Sequence, residues 1–209
     1  MQIDVISDVI CPWCFLGKRR LDKAIAMFPE EKIEVVFRPF FLDPSIPLEG
    51  MDRHKYMVDK FGEARLKTIH KPLEDMGAAD GVPYNFDKIT RTPNTLDAHR
   101  LIRWSMSAGK QPAVVEALFV AYWRDGKDVG DIEVLADVAT SCGMDGREIA
   151  ILLKQDTDKA AVLTEAQKAM EMGVQGVPTM IFNHKYGISG AQDAATVADT
   201  IRKLIKPQA

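Results

Sequence analysis

Ile3-Asp4-Val5-Ile6 opens the chain as a short, mostly apolar run of β-forming residues, the pattern of a strand. From Phe15 to Phe28 the apolar spacing lengthens to that of an amphipathic helix. Ile33-Glu34-Val35-Val36-Phe37-Arg38 alternates again and predicts a second strand. Strand, helix, strand over residues 3–38 is a βαβ unit, which implies parallel strands and a right-handed crossover. Pro39, Asp43-Pro44, Pro47 and Gly50 then form a dense run of breakers that marks a boundary. Helical periodicity dominates from there to about Gly173. It predicts helices over 51–61, 63–76, 94–107, 112–124, 132–142, 146–153 and 157–172, with a loop over 77–93. β character returns after Val177-Pro178. Thr179-Met180-Ile181-Phe182 reads as a strand, Asn183-His184-Lys185 as a turn, Tyr186-Gly187-Ile188 as a second strand, and Ala191 to Ile205 as a final helix. The order is βαβ, a helical block, then αββα. If the terminal pieces share one sheet, the block is an insertion.

Between the first strand and the first helix stands Cys11-Pro12-Trp13-Cys14. Residues three apart lie on one helix face, so the two sulfurs meet. Pro12 suits the first helical position, where its fixed φ fits and its missing N–H is not needed. Cys11 then takes the cap position. Its sulfur is expected to accept the free N–H groups of Trp13 and Cys14 and to feel the positive helix end, both of which favour thiolate over thiol. Cys11 is therefore expected to be the more exposed and reactive sulfur, with Cys14 as its partner.

The 209 residues are 46% hydrophobic, enough for a substantial core, and carry a net charge of −3 without a long basic run. Nucleic acid is not expected as a partner. No apolar stretch reaches the ~18 residues that span a bilayer, and the N-terminus lacks a basic segment followed by an apolar one, so no membrane association is expected and the chain reads as cytoplasmic. Three cysteines in this length are not a disulfide framework.

These residues resemble a known family. The frame with Cys-x-x-Cys at the first helix is similar to the thioredoxin fold, and the helical insertion to the DsbA superfamily. The match is to its cytoplasmic FrnE-like branch, which is grouped with hydroxychromene carboxylate isomerases and kappa-class glutathione transferases. It is carried by Ser7-Asp8-Val9-Ile10-Cys11-Pro12-Trp13-Cys14-Phe15-Leu16-Gly17 and by Pro93-Asn94-Thr95-Leu96-Asp97-Ala98-His99-Arg100-Leu101. It continues in Gly173-Val174-Gln175-Gly176-Val177-Pro178-Thr179 and Ile188-Ser189-Gly190-Ala191-Gln192. The resemblance implies an α/β thioredoxin-like fold with an inserted all-helical lobe. Residues 1–44 and 157–209 would form the thioredoxin-like domain and 45–156 the helical one. It also implies a cis Val177–Pro178 bond packed against the Cys pair, with the Val177 backbone free to pair with an extended substrate.

The leading reading is a thiol–disulfide oxidoreductase in which Cys11 attacks and Cys14 resolves. It acts on a disulfide or dithiol, protein or small molecule, with Pro12, Trp13, Val177 and Pro178 contacting substrate. Asp8, which fixes the loop or opposes the thiolate, and Asn94, a helix cap or cofactor contact, are the candidate modulators. No bound cofactor is expected, with glutathione as a redox partner, and the oligomeric state stays open, a homodimer included. The alternative is a glutathione-dependent isomerase or transferase. Those relatives typically carry Ser where Cys11 stands and lack the second Cys, so the intact pair favours redox chemistry. A non-enzymatic binding protein on the same frame leaves that pair unexplained. A zinc site is disfavoured, because a structural site needs about four ligands and Cys142 stands alone before Gly143. Cys142 reads as a half-buried structural residue. Trp13 is either a cover for the helix start or an apolar platform. Asp4 would act only if its buried carboxylate approached the pair from below. Asn94-Thr95-Leu96-Asp97 has the spacing of a capping box. His99 reads as a satisfied histidine, and His54, His70 and His184 form no constellation.

Overall fold

The computed structural model describes residues 1–205, the Lys67 side chain excepted. Strand β1 (Gln2–Ser7) leads into helix α1 (Pro12–Ile25) and strand β2 (Glu34–Pro39). A two-residue strand β3 (Met51–Asp52) precedes helices α2 (Arg53–Phe61), α3 (Glu63–Ile69) and α4 (Lys71–Asp80). A short 3₁₀ turn at Phe86–Lys88 and strand β4 (Arg91–Thr92) lead to α5 (Leu96–Ser107), α6 (Gln111–Trp123), α7 (Ile132–Ser141), α8 (Gly146–Leu153) and α9 (Lys159–Glu171). Strands β5 (Thr179–Phe182) and β6 (Tyr186–Ser189) and helix α10 (Ala194–Ile205) complete the described chain. None of these helices is long and apolar enough to cross a membrane.

The four longer strands form one sheet in the order β2-β1-β5-β6, so the two terminal strand pairs share a sheet. β1 and β2 run parallel with Val5 opposite Phe37, and β5 lies antiparallel to β1 with Met180 opposite Val5. The fold is thioredoxin-like, with a helical insertion between β2 and β5. Alternation along β1 divides its side chains between two layers. Ile3 and Val5 pack with Phe15, Leu16 and Leu21 of α1. Ile6 faces the other way, against Phe40, Ala169 and Val174. Burial of each such side chain contributes about 1.5–3 kcal/mol.

The insertion differs from its expected outline in three places. The helix expected over 63–76 breaks at His70, and Pro72 enters near the start of the next helix, where its missing N–H costs nothing. That helix runs on to Asp80, through part of the expected loop, and Gly81 closes it in the left-handed region at φ 77°. The insertion is also not wholly helical, since β3 and β4 pair as a two-residue ribbon, Met51 opposite Thr92. Outside the insertion, α10 starts at Ala194, where Asp193 accepts the Thr196 N–H at 2.8 Å.

Candidate active site

Helix α1 begins at Pro12, and Cys11 precedes it in extended conformation at φ −91°, ψ 113°. The Cys11 N–H donates to the Asp8 carbonyl at 3.1 Å, and the Cys14 N–H to the Cys11 carbonyl at 3.0 Å. These turns set the two sulfurs side by side, both as free thiols. Cys11 was expected to cap the helix through its sulfur, but no side-chain cap bond forms. The helix N–H of Cys14 is taken by the Cys11 carbonyl instead, and the Cys11 Sγ turns to the Val177 carbonyl, 3.6 Å away. Nor is Cys11 the more exposed sulfur. Cys11 and Cys14 are each 2% exposed. The asymmetry lies in access: Cys11 lines a cavity of about 550 Å³, whereas Cys14 does not.

Burial drives the Cys14 thiol well above its usual range, and the adjacent Cys11 sulfur pushes the same way against the Asp8 backbone and Ser7 side chain. The sign of the linked stability follows. Above about pH 8.5 an unfolded chain releases the Cys14 proton and the folded chain keeps it, so the folded state binds more protons and stability falls with rising pH. Urea titrations of the reduced protein between pH 7 and 10 should show this decline, shallower in Cys14→Ala. Equal slopes would mean that Cys14 titrates alike in both states.

The Val177–Pro178 bond is cis. Pro178 packs on α1, where a Cβ added at Gly17 would lie 2.9 Å from the Pro178 Cγ. A proline ring yields little. Gly17→Ala should therefore push Pro178, and with it the Val177 carbonyl, off Cys11 at a cost of about 1–3 kcal/mol. Urea denaturation and the rate of thiol exchange report the two effects together. A variant unchanged in both would show that the loop moves freely.

Among the other residues singled out in the sequence, Pro12, Trp13 and Val177 line the cavity with Cys11, and Trp13 is 40% exposed. Asp8 is buried beside them. Its carboxylate accepts the Leu42 N–H at 2.8 Å and stands 3.5 Å from His99 Nε2, which also meets the Phe40 carbonyl at 3.0 Å. It ties the active-site loop to the chain after β2. Asn94 is not brought to the cavity. Its side chain bridges the Ile46 carbonyl and the Leu96 N–H. The capping-box reading fails by register: Thr95 is the cap residue and makes no side-chain cap bond, while Asp97 pairs with Arg100. Asp4 points to the opposite side of the sheet. There it pairs with Arg38 at 2.8 Å and His184 at 3.0 Å, in a separate open hollow bordered by α9. Cys142 closes α7, half-buried. Among the described residues no group of three or more His, Cys, Asp or Glu side chains is placed to hold a metal ion.

The insertion supplies contacts that the sequence did not single out. Tyr84 Oη donates to the Pro12 carbonyl at 2.5 Å, and Trp123 Nε1 to the Val9 carbonyl at 2.9 Å. Both rings belong to an aromatic cluster with Phe15 and Phe86. Burial, with the two cysteines close by, drives the Tyr84 phenol upward, so it remains a donor. Arg53, Tyr56, Lys60 and His70 add a polar face to the same cavity. No motif marks these residues. Their only signal is a cluster of basic and aromatic side chains just after the breaker run.

Known proteins share this frame. Residues 2–202 match the family model described as DSBA-like thioredoxin domain. An uncharacterized protein of Bacillus subtilis, YwbO, is 28% identical over 87% of this chain and 86% of its own. The crystal structure of a probable DsbA oxidoreductase from Streptomyces coelicolor superposes with a TM-score of 0.91 at 28% identity, over 100% of this chain and 92% of that one. The cytosolic disulfide reductase DsbM from Pseudomonas aeruginosa, solved with GSH, shares the fold at a TM-score of 0.70 and 13% identity, over 98% of this chain and 99% of that one.

Proposed function

The chain belongs to the DSBA-like thioredoxin domain family, and from that premise we propose that it is a thiol–disulfide oxidoreductase in which Cys11 attacks and Cys14 resolves. The observation that carries this reading is the position of Cys11 at the start of α1, open to the cavity, with the buried Cys14 thiol against it. The Cys11 thiolate attacks one sulfur of a substrate disulfide, forming a mixed disulfide and expelling the other sulfur as a thiolate. Cys14 then loses its proton and attacks the Cys11 sulfur. The second substrate thiolate leaves and a Cys11–Cys14 disulfide remains. Substrate is reduced by two electrons and the protein oxidised by two; the same steps reversed oxidise a dithiol. Holding Cys14 as a thiol until the mixed disulfide forms keeps it from competing as nucleophile. Trp13 and the Val177 backbone border the attack site, and Pro178 backs them against Gly17. Glutathione is the expected partner for recycling the pair, in the cytoplasm.

Equilibration with mixtures of reduced and oxidised glutathione, then acid quench and alkylation, tests the proposal. One reversible two-electron transition that vanishes in either single Cys→Ser variant is expected. Absence of an intramolecular disulfide at every ratio would overturn it. Brief iodoacetamide labelling of the reduced protein at neutral pH should mark Cys11 before Cys14, since only Cys11 meets the cavity. Label chiefly on Cys14 would reverse the assignment.

A further inference from the structure

The cavity beside Cys11 is large enough for an organic molecule of moderate size, and its walls are mostly apolar and aromatic. Its charge is one-sided. Arg53, Lys60 and Arg65 line it, and no carboxylate does among the described residues. Lys60 is already satisfied, bonded to Asp43 at 2.9 Å and to the Tyr56 hydroxyl at 2.8 Å. Arg53 is not. Its half-buried guanidinium stands over the Trp123 ring, 5.8 Å from the centroid, with no side-chain hydrogen bond or ion pair among the described residues. His70, stacked on Phe86 at 3.9 Å, has a buried Nε2 with no partner. Glu74 and Asp87 approach His70 from an adjoining hollow that Thr68, His70 and Pro72 line as well. Burial and the Arg53 charge lower the His70 basicity, leaving a neutral ring that can donate or accept one hydrogen bond. An unpaired guanidinium with the His70 ring beside it, in an aromatic cavity that reaches Cys11, matches a planar carboxylate-bearing molecule.

We infer that this cavity selects small organic disulfides carrying an aromatic or apolar body and a carboxylate, with Arg53 the specificity-determining residue that holds the carboxylate while Cys11 attacks the disulfide. The inference rests on the oxidoreductase reading of the Cys pair. The reaction needs no further reagent in a single turnover. Reduced protein and one disulfide RS–SR give the Cys11–Cys14 disulfide and two RSH.

The test uses pre-reduced protein in a Cys142→Ser background. It is mixed by stopped flow with 5,5′-dithiobis(2-nitrobenzoate), an anionic aromatic disulfide, and with 4,4′-dithiodipyridine, a neutral one. Each rate is referenced to the same disulfide reacting with free dithiothreitol. Arg53→Gln should lower the rate with the anionic disulfide by about 10-fold, the scale of one charge-assisted hydrogen bond, and change the neutral one by less than about twofold. Arg53→Lys should restore part of the loss, and added salt should shrink the difference between the disulfides. Equal losses on both would make Arg53 merely structural and overturn the inference, as would rates with both that ignore Arg53. If neither disulfide oxidises the wild-type Cys11–Cys14 pair, the oxidoreductase reading itself falls, and this inference with it.

Discussion

Cys11→Ser should abolish disulfide exchange outright, and Cys14→Ser should leave attack intact while stopping release. The two outcomes differ because the site is asymmetric. Of the pair only Cys11 lines the cavity, so a serine there leaves the cavity without a cysteine. A hydroxyl does not ionise near neutral pH and does not exchange with disulfides. Activity should fall to the uncatalysed background. Cys14 lies deeper, and its burial keeps it protonated. With serine in its place the mixed disulfide on Cys11 has no neighbour to resolve it and should accumulate. The adduct is visible as a mass increase equal to one substrate half, removed by dithiothreitol. In a Cys142→Ser background, release of a chromogenic thiol should then stop at one equivalent per protein rather than two. Two equivalents from Cys14→Ser, or residual turnover in Cys11→Ser, would assign the chemistry to other sulfurs.

The frame of the molecule was legible because its signals are local. A short apolar run gave β1, alternation gave β2 and helical spacing gave α1, each within a single segment. Cys11-Pro12-Trp13-Cys14 located the start of α1, since proline at the first helical position is a local rule. The walls of the cavity were not legible. Arg53, His70 and Phe86 are spread along the chain and meet at the cavity only in the folded molecule, as does Tyr84 at the Pro12 carbonyl. Nothing in the spacing of one segment reveals what another will press against it. The same limit explains the Cys11 error. A cap geometry was inferred from the helix start alone, but the distant Val177 carbonyl provides a competing partner for the sulfur. The condition set on Asp4 is decided by face. The strand was correctly read, yet period 2 turns Asp4 away from α1 and toward α9.

The largest loss of stability expected from a single substitution lies at Arg100 in α5. Its side chain is 0% exposed. The guanidinium donates to the carbonyls of Leu152, Leu153, Gln155 and Thr157 and to the Asp97 carboxylate, all at 2.7–3.1 Å. Leu152 and Leu153 end α8, and Arg100 bonds both carbonyls; that of Leu152 also takes the Gln155 N–H at 3.1 Å. The residues between α8 and α9 are held by the same group, and Trp104 covers it with its ring 4.9 Å away. Arg100→Leu would fill part of the volume but remove all five of these charge-assisted bonds, at a cost of about 3–5 kcal/mol. In a chain of this size the midpoint of thermal unfolding should fall by roughly 10 °C. Arg100→Lys should recover only part of this, because one ammonium with three donors cannot span five acceptors in a plane. None of these partners lines the cavity, so exchange at Cys11 measured well below the unfolding transition should be unchanged. A midpoint within about 2 °C of the parent, below the shift expected for 1 kcal/mol, would mean that water replaces the guanidinium without loss.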